Sequence, residues 1–530
     1  MKSTFRQSMA WLHTWAGFTF AWLLFFIFIT GSLGYFENEI DRWMKPEIVV
    51  VNETIDDVEV FNLAKQQLNT LASHADKWYI AYPTTRDPFI KISWLALANA
   101  ELGISKQWHE EYLDPYTGNI TPTRDTSGGE TLYRLHYNLH YVPIVVGYLL
   151  TSLASLFMLI GLVTGVIIHK KIFIEFFTFR SGKGLRSWLD IHNVFSVLPL
   201  PFHLMITYSG LILLMGISFS PVIDATYGEG RKLHRQFYDV SQTENKRFDT
   251  TNIPAVDLSL STVLLDAKQR YKNNNISFLG VIDRSPNNNT EQMGFEVWLD
   301  GSEGIEFATL ITYRVVNGQV QIEESIGKKY SAGKVYDVLE HLHEGLFAGP
   351  YLRWLYFISG LLGAAMIASG MIIWVKKRQK NSTRLINLID RVNAAVIIGL
   401  PIAIAAYFWS NRLLPLEMVN RGAWELHSLF IVFTMCICFC LVSRPAKAWK
   451  NMLWLAAAIY AFLPIGNMLT TEHSLLSSAQ EGDWLMLGFD VSVLVFASCF
   501  AVAAALFKKE HIAPEHTSEI SKKPHPELGT

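Results

Sequence analysis

Two histidines occupy the same place in two apolar stretches of this sequence. His13 lies 18 residues before Gly31, and His192 lies 18 residues before Gly210. A leucine or isoleucine precedes each histidine, and a threonine or serine precedes each glycine. Imidazole is the commonest metal ligand in proteins, so two histidines at equal depth are candidates to bind one metal centre.

A second pair of histidines precedes two other apolar stretches in the same manner. His136 lies 7 residues before Pro143, and His343 lies 7 residues before Pro350. Proline suits the first turn of a helix, where its missing N–H would have had no partner. Both histidines are therefore expected just before a helix that enters the membrane from the same side.

The two pairs favour b-type haem, with one haem between His13 and His192 and another between His136 and His343. Haem iron in electron-transfer proteins takes two axial ligands, and neutral imidazole supplies them. Histidines on facing helices of a bundle can hold a cofactor between them. Zinc is less favoured because no cysteine and few carboxylates accompany these histidines. The alternative is that the four imidazoles lie at the membrane interface without a ligand.

His203 is a further, less certain candidate for a haem ligand. It follows His192 by 11 residues, which is about three helical turns, so both side chains would face the same way about 16 Å apart. One helix would then serve two haem levels. No equally deep histidine offers an obvious partner, and the alternative is a buried polar group near the electron path.

The other histidines of the apolar regions have weaker roles in this interpretation. His140 lies one turn after His136 and is an alternative to it. His169 corresponds to Trp374 in the repeat and is expected at the interface, while His341 has no counterpart.

A third group of polar residues lies in the later spans. Glu425 and His427 are two residues apart, so they do not share a helix face. They could still flank a polar cavity together with Asp490 of the last span.

The elements that must position these residues are apolar blocks long enough to cross a bilayer. Eight spans are predicted, at about 11–35, 142–169, 189–218, 350–375, 389–409, 422–442, 450–469 and 484–507. The first follows Lys2 and Arg6 but is longer than the core of a signal peptide and has no clear cleavage site, so it is expected to be retained.

Basic residues predict the orientation of the spans. Four clusters fall on one side if the spans alternate: Lys170, Lys171, Arg180, Lys183 and Arg186; Lys376, Lys377, Arg378, Lys380 and Arg384; Arg444, Lys447 and Lys450; Lys508 and Lys509. That side is predicted to be cytoplasmic, with both termini there. The protein would then be a multi-pass protein of the bacterial inner (plasma) membrane.

Two long polar segments fall on the opposite, periplasmic side. Each begins with a helix-like stretch, 58–73 or 260–273, and continues with strand-like runs. Hairpin-turn signals occur at matching places, 116–119 and 316–319. Each insert is predicted to be one helix packed on a small antiparallel sheet. The first 375 residues therefore read as a duplicated unit of helix, insert and helix.

The composition agrees with a membrane protein and excludes some other classes. Of 530 residues, 50% are hydrophobic and 17% charged, and the net charge of −2 gives no sign of a nucleic-acid partner. All four cysteines lie in apolar blocks, where they are interpreted as small apolar fillers: Cys436, Cys438, Cys440 and Cys499.

At this point the sequence resembles a known family, the PepSY-associated transmembrane proteins, over about residues 1–380. The motifs are Leu12-His13-x-Trp15-x-Gly17, the Leu-His before the second and fourth spans, Asp190-x-His192 and Pro201-Phe202-His203. The inserts, with the hairpin Asp114-Pro115-Tyr116-Thr117-Gly118, resemble PepSY domains. The fold expected is a mainly α polytopic membrane protein with about eight membrane helices and two small α+β PepSY-like periplasmic inserts.

The resemblance implies a function, because the family includes iron-regulated inner-membrane proteins and ferric-siderophore reductases with two b-type haems. It implies electron transfer across the membrane to ferric iron in the periplasm, from a quinol or a cytoplasmic reductant. The alternative is a non-enzymatic PepSY-domain binding or regulatory protein without haem. The colour of the purified protein would separate the two alternatives: a haem protein is red, and a protein without haem is colourless.

The predicted division of the chain follows the spans and inserts. Its segments are a first span (1–35), a first insert (36–141), two spans (142–218), a second insert (219–349), a fourth span (350–375), four further spans (376–510) and a cytoplasmic tail (511–530).

Overall fold

A computed structural model gives the fold for most of the chain. It describes residues 4–51, 55–73, 75, 77–84, 86–96, 107–169, 180, 182–228, 243–254, 259–272, 274–282, 294–299, 309–316, 319–379 and 383–507. The predicted tail 511–530 lies outside these residues. So do the centre of the turn at 316–319 and the basic residues Lys170, Lys171, Lys380, Lys508 and Lys509.

The described elements are numbered in chain order. The helices are α1 (Phe5–Thr19), α2 (Ala21–Gly34), α3 (Glu37–Met44), α4 (Asp57–Leu71), α5 (Gly128–Leu135), α6 (Ile144–Ile168), α7 (Leu185–Val197), α8 (Leu200–Leu213), α9 (Met215–Ser218), α10 (Ser220–Tyr227), α11 (Leu260–Arg270), α12 (Ser331–Glu344), α13 (Pro350–Arg378), α14 (Arg384–Leu413), α15 (Arg421–Val442), α16 (Pro445–Ala461), α17 (Leu463–Thr470), α18 (Leu475–Glu481) and α19 (Trp484–Leu506). The strands are β1 (Trp78–Ala81), β2 (Ile90–Ala96), β3 (Gln107–Leu113), β4 (Ile120–Thr121), β5 (Glu244–Pro254), β6 (Ile276–Ile282), β7 (Gly294–Leu299), β8 (Thr309–Val316) and β9 (Gln319–Lys328).

Six of the predicted spans are long, apolar helical segments: α6, α13, α14, α15, the run α16–α17 and α19. Each is long enough for a bilayer, which needs about 20 residues. The chain is therefore a multi-pass membrane protein.

The other two predicted spans are bent instead of straight. The angle is 63° between α1 and α2, and 65° between α7 and α8. Pro199 caps the start of α8 and Pro201 lies in its first turn. Proline has no backbone N–H to donate, so it favours a break at this point. Each bend separates a half that carries a histidine, His13 or His192, from the half that carries Gly31 or Gly210.

One nine-stranded antiparallel sheet lies at one end of the helix bundle. Its strand order is β4-β3-β2-β1-β6-β7-β8-β9-β5. Alternate side chains of the strands are buried, as in Ile90 and Ile92 of β2, and α4 and α11 pack on that face. The opposite face carries Glu110 and Tyr112, which Lys45 contacts from the end of α3.

The sheet departs from the prediction in one respect. Each insert was expected to form its own small sheet, but β1 of the first insert pairs with β6 of the second, with Ile80 opposite Leu279. The inserts also hold more than one helix each, because α3, α5 and α12 connect the sheet to the membrane helices. These short helices are amphipathic and too polar to be recognised as spans.

The last four spans pack against the first unit through α14. This helix is almost entirely buried between α13, α15, α16 and the end of α2. At the sheet-bearing end, polar side chains join α3 and the chain before α5 to α14, α15, α17 and α19. The later spans therefore contact the segments that lead to the second pair of histidines.

Candidate functional site

The structure brings His13 of α1 and His192 of α7 together. Their ring centres are 6.4 Å apart and their planes are inclined at 73°. Each ring bonds to a facing helix through Nδ1. His13 Nδ1 lies 2.9 Å from the carbonyl oxygen of Gly161 and 3.2 Å from Thr164 Oγ1. We call these two residues the inner pair.

His192 has the same surroundings on the other side of the inner pair. Its Nδ1 lies 2.9 Å from the carbonyl oxygen of Met366 and 3.2 Å from Ser369 Oγ. A carbonyl oxygen only accepts, so Nδ1 must be the protonated nitrogen in both rings. The Nε2 atom then keeps its lone pair, which is the state that binds a metal.

The structure also brings His136 and His343 together, and we call them the outer pair. Their ring centres are 6.3 Å apart and the planes are inclined at 20°. His343 Nδ1 lies 2.8 Å from Ser209 Oγ, and that hydroxyl donates to the carbonyl oxygen of Met205. The hydroxyl therefore accepts from Nδ1 of His343. His136 Nδ1 bonds to the carbonyl oxygen of Tyr133 in its own helix.

The spacing of both pairs fits two imidazoles on opposite sides of one iron. A metal–nitrogen bond of about 2 Å, and about 1.2 Å from that nitrogen to the ring centre, place the two ring centres about 6.4 Å apart. The observed separations are 6.4 and 6.3 Å. The protonation at Nδ1 leaves the other ring nitrogen available in each case. The residues present therefore fit a six-coordinate haem iron at each level.

A glycine lies beside each of the four imidazoles. A Cβ added to Gly165 would lie 3.2 Å from His13 Cε1, and one added to Gly210 would lie 3.1 Å from His343 Cε1. Gly370 is placed in the same way beside His192, and Gly31 beside His136. Larger residues would crowd the rings, since these distances are at or inside van der Waals contact.

Sequence reasoning found these glycines and hydroxyls only as markers of the repeat. Thr164, Ser209 and Ser369 each precede one of the glycines and each bonds to a paired histidine. The signal was present, because a hydroxyl residue followed by glycine recurs in all four spans. What the sequence could not show is which helix each pair faces.

A cavity of about 550 Å³ adjoins the outer pair. Both outer histidines line it, together with apolar residues of α2, α6 and α8 and the carboxylates Glu340 and Glu344. Its volume is within the range of cofactor sites. Burial and the neighbouring carboxylates Glu344 and Asp337 raise the pKa of Glu340 to about 7.

His203 lies apart from both pairs. It is fully buried, and its Nε2 lies 3.2 Å from the carbonyl oxygen of Ser359. Its ring lies against the rings of Phe28 and Phe202. Nε2 must donate to that carbonyl, so His203 holds its proton on the nitrogen that the paired histidines leave free. The structure thus places it as a buried polar group between α8 and α13.

His140 and His427 also lie outside the pairs. His140 stacks on Phe430, and the Nδ1 atom of His427 shares a hydrogen bond with the hydroxyl of Tyr141. Leu139 and Tyr141 have positive φ angles of 55° and 63°, so the chain turns sharply there after His136. This turn carries His140 away from the position of His136.

The suggested cavity between Glu425, His427 and Asp490 does not form as one site. Glu425 pairs with Arg421 and accepts from Asn411. Asp490 accepts instead from Trp43 and Asn467. Both carboxylates are hydrogen-bonded and fully buried.

Comparison with known proteins bears on the part of the chain that holds the pairs. A family model described as the PepSY-associated TM region matches residues 10–377, more than half of the chain. The chain belongs to the PepSY-associated TM family. The PepSY-associated TM region includes both histidine pairs and His203, and it ends before α14.

A second comparison gives a relative of this chain. It is an uncharacterised protein of Pseudomonas aeruginosa, 23% identical over 302 residues, which cover 54% of this chain and 73% of that protein. The family inferred from the sequence motifs is thereby confirmed, and its activity is a separate question.

Proposed function

We propose that this chain is a transmembrane haem-b electron-transfer protein that reduces ferric iron, carried by a siderophore, on the periplasmic side of the bacterial inner membrane during iron uptake. The observation that carries the proposal is the arrangement of the two pairs. In each pair the ring centres are separated as two imidazoles on one iron would be, and Nδ1 is engaged in a hydrogen bond.

The chain's own residues would hold one haem at each level. His13 and His192 are the ligands of the inner level, and His136 and His343 those of the outer level. Haem b, when bound, would supply one-electron transfer by cycling between ferric and ferrous iron. The hydroxyls and carbonyls that bond Nδ1 fix the orientation of each imidazole and raise its basicity. Because two histidines would hold each haem, each site would suit electron transfer and not oxygen binding.

The outer pair is the natural exit for electrons in this proposal. The basic residues Lys376, Lys377 and Arg378 lie at the end of α13 remote from the sheet, which favours a cytoplasmic location for that end. The sheet and the outer pair would then be periplasmic. A ferric siderophore is too large and polar to enter the bilayer, so a site beside water-exposed domains suits it.

Reduction would release the iron by changing its charge. One electron converts ferric to ferrous iron in the bound complex, and the oxygen donors of a siderophore hold the harder, more highly charged ferric ion better. The electron donor would be a quinol or a cytoplasmic reductant.

The first test is the spectrum of the purified protein. We expect about two haems b per chain and a Soret band that shifts on reduction. His13→Ala or His192→Ala should remove the inner haem, and His343→Ala the outer one. A colourless protein would contradict the proposal and favour the binding or regulatory alternative.

The second test concerns the substrate. Chemically reduced protein should be reoxidised by ferric siderophores, and a ferrous chelator should then capture the iron. His343→Ala should slow this step more than it slows reduction of the inner haem. Failure of every member of a panel of ferric siderophores to reoxidise haem-loaded protein would remove the reductase assignment.

A further inference from the structure

His136 is held differently from the other three paired histidines. The rings of His13, His192 and His343 each bond to a hydroxyl on a facing helix. His136 bonds instead to the carbonyl oxygen of Tyr133, one turn earlier in the same short helix. His136 directly follows the last residue of α5, so the position of α5 decides where this imidazole lies.

The start of α5 is fixed by the later membrane spans. Tyr407 of α14 donates its hydroxyl to the carbonyl oxygen of Gly128 at 2.7 Å. Ser127 donates its hydroxyl to the carbonyl oxygen of Gly422 in α15 at 2.6 Å. Tyr407 is fully buried, and an unmade hydrogen bond in such a place is costly.

Glu425 of α15 adds a charged contact to the same segment. One carboxylate oxygen accepts from Thr126 Oγ1 at 2.6 Å and from the backbone N–H of Ser127 at 3.0 Å. The other oxygen accepts from Asn411 at 2.7 Å and from Arg421 at 2.6 Å. We call the contact of residues 126–129 with α14 and α15 the junction. Groups on both sides of this junction thus donate hydrogen bonds to the Glu425 carboxylate.

The junction leaves no room for α5 to shift. A Cβ on Gly129 would collide with the carbonyl oxygen of Glu37 in α3, and one on Gly422 would lie 2.8 Å from the backbone nitrogen of Ser127. Asp41 of α3 also accepts from the backbone N–H of Gly129 at 2.8 Å. α5 is therefore confined between α3 and α15 at backbone contact.

The later spans hold α3 as well. Arg42 pairs with Asp483 at 2.8 Å, and Trp43 donates to Asp490 of α19 at 3.0 Å. The guanidinium of Arg412 in α14 lies 3.6 Å from the centre of the Trp43 ring. α3 and α15, which flank the start of α5, are thus anchored in or belong to the part of the chain that the PepSY-associated TM region does not include, whereas α2 packs along α5 from within that region.

We propose that the last four spans position His136 through α5, and that Tyr407 and Glu425 are the positioning residues. The inference rests on the proposed function for its haem readout, but the positioning of α5 is measurable without haem. At the inner pair, by contrast, the imidazoles bond directly to α6 and α13.

The experiment compares two tyrosine variants of the full chain. Tyr407→Phe removes the bond to Gly128. Tyr460→Phe is the matched control, because Tyr460 is also buried in the later spans and donates to a backbone carbonyl, that of Pro401 at 2.9 Å. Amide hydrogen exchange across residues 128–138 should become about threefold to tenfold faster in Tyr407→Phe and stay unchanged in Tyr460→Phe.

The haem readout separates positioning from general destabilisation. In Tyr407→Phe the outer haem should shift its midpoint potential and its spectrum, while the inner haem keeps both. The inference would be overturned if the potential and spectrum shifted equally at both haems, or if a red protein showed no shift at either haem. Both results would leave the proposed function standing. A colourless protein would remove the proposed function, and the exchange measurement alone would then decide the positioning of α5.

A second pair of variants tests the proposal if Tyr407→Phe does not fold. Ser127→Ala removes the bond to Gly422 from the other side of the junction and should give the same pattern. Glu425→Gln keeps the shape and removes the charge, so its effect on residues 128–138 should exceed that of Ser127→Ala. Unchanged exchange in both variants would contradict the proposal.

Discussion

Nδ1 is the atom that distinguishes the paired histidines from His203. In His13 and His192 it faces a carbonyl oxygen, which forces the proton onto that nitrogen and leaves Nε2 with its lone pair. His203 has the reverse arrangement, with Nε2 on the carbonyl oxygen of Ser359. The same residue type thus leaves Nε2 without a proton in one place and uses Nε2 as a hydrogen-bond donor in another.

Ser209→Ala tests this orientation at the outer pair. The hydroxyl accepts from Nδ1 of His343, and loss of such a partner costs about tenfold to a hundredfold in metal affinity. We expect haem at the outer level to be lost correspondingly faster to an excess of a haem-binding apoprotein. Ser492→Ala is the control, because that hydroxyl bonds only within its own helix. Equal haem loss in both variants would contradict the role given to Ser209.

The ring planes predict two distinct magnetic spectra. The inner rings are inclined at 73° and the outer rings at 20°. Axial imidazoles that are nearly perpendicular leave the iron orbitals close in energy, whereas nearly parallel rings separate them. The oxidised protein should therefore give one highly anisotropic and one rhombic low-spin EPR signal. His343→Ala should remove the rhombic signal, and a single type of signal from both haems would be inconsistent with the ring geometry.

At the level of helices, part of the arrangement could be predicted from the sequence. The spans and the equal spacings around His13 and His192 are local patterns, so they are visible in one sequence. The bend at Phe20 is not, because the apolar stretch continues through it without interruption, whereas Pro199 and Pro201 are a local signal for the bend after Leu198. The helices α3 and α5 were also not predicted, since the stability of a helix of eight residues depends on its tertiary contacts.

α3 carries a carboxylate whose protonation should affect stability. Burial, followed by the carboxylates Asp41 and Glu130, raises the pKa of Glu37 to about 7 from its ordinary value of 4.5, against the opposing charge of Arg86. The folded chain thus binds a proton that the unfolded chain has released. Stability from this proton is complete below about pH 4.5 and is lost as the pH rises through about 7.

Glu37→Gln should remove this dependence. Between about pH 5 and pH 8 the Tm of the unaltered protein in detergent should fall relative to that of the variant. Glu59→Gln, at an exposed position of α4, should follow the unaltered protein. If Tm depended on pH in the same way in the unaltered protein and in Glu37→Gln, the protonation of Glu37 would not change on folding.

At the level of the whole molecule, the two inserts are one body. β1 and β6 join them in the middle of the nine-stranded sheet. The alternation in these strands predicts which side chains are buried, but it does not predict which strand is the neighbour. Residues 80 and 279 are far apart in the chain, and only the tertiary fold specifies their pairing. The same holds for Trp43 and Asp490, which join α3 to α19.

A cysteine pair tests the join between the inserts. Ala81 lies opposite Phe278, and paired Cα atoms in a sheet are close enough for a disulfide. In a chain whose four natural cysteines are replaced, Ala81→Cys with Phe278→Cys should form an intramolecular disulfide, detected by mass spectrometry. Ala81→Cys with Val281→Cys is out of register and should not. Separate sheets would leave both pairs reduced.

Strands β1 and β6 hold equivalent places in the two predicted repeats, and they pair with each other. The two members of each histidine pair are equivalent in the same way. His13 meets His192, His136 meets His343, and the first strand after each insert helix meets its counterpart. This is the arrangement of a two-fold symmetric homodimer, in which each surface patch contacts its own copy. A protein with one repeat would leave β1 as an open edge and each histidine without its opposite. If the proposed function holds, such a half-length protein should bind haem only as a dimer.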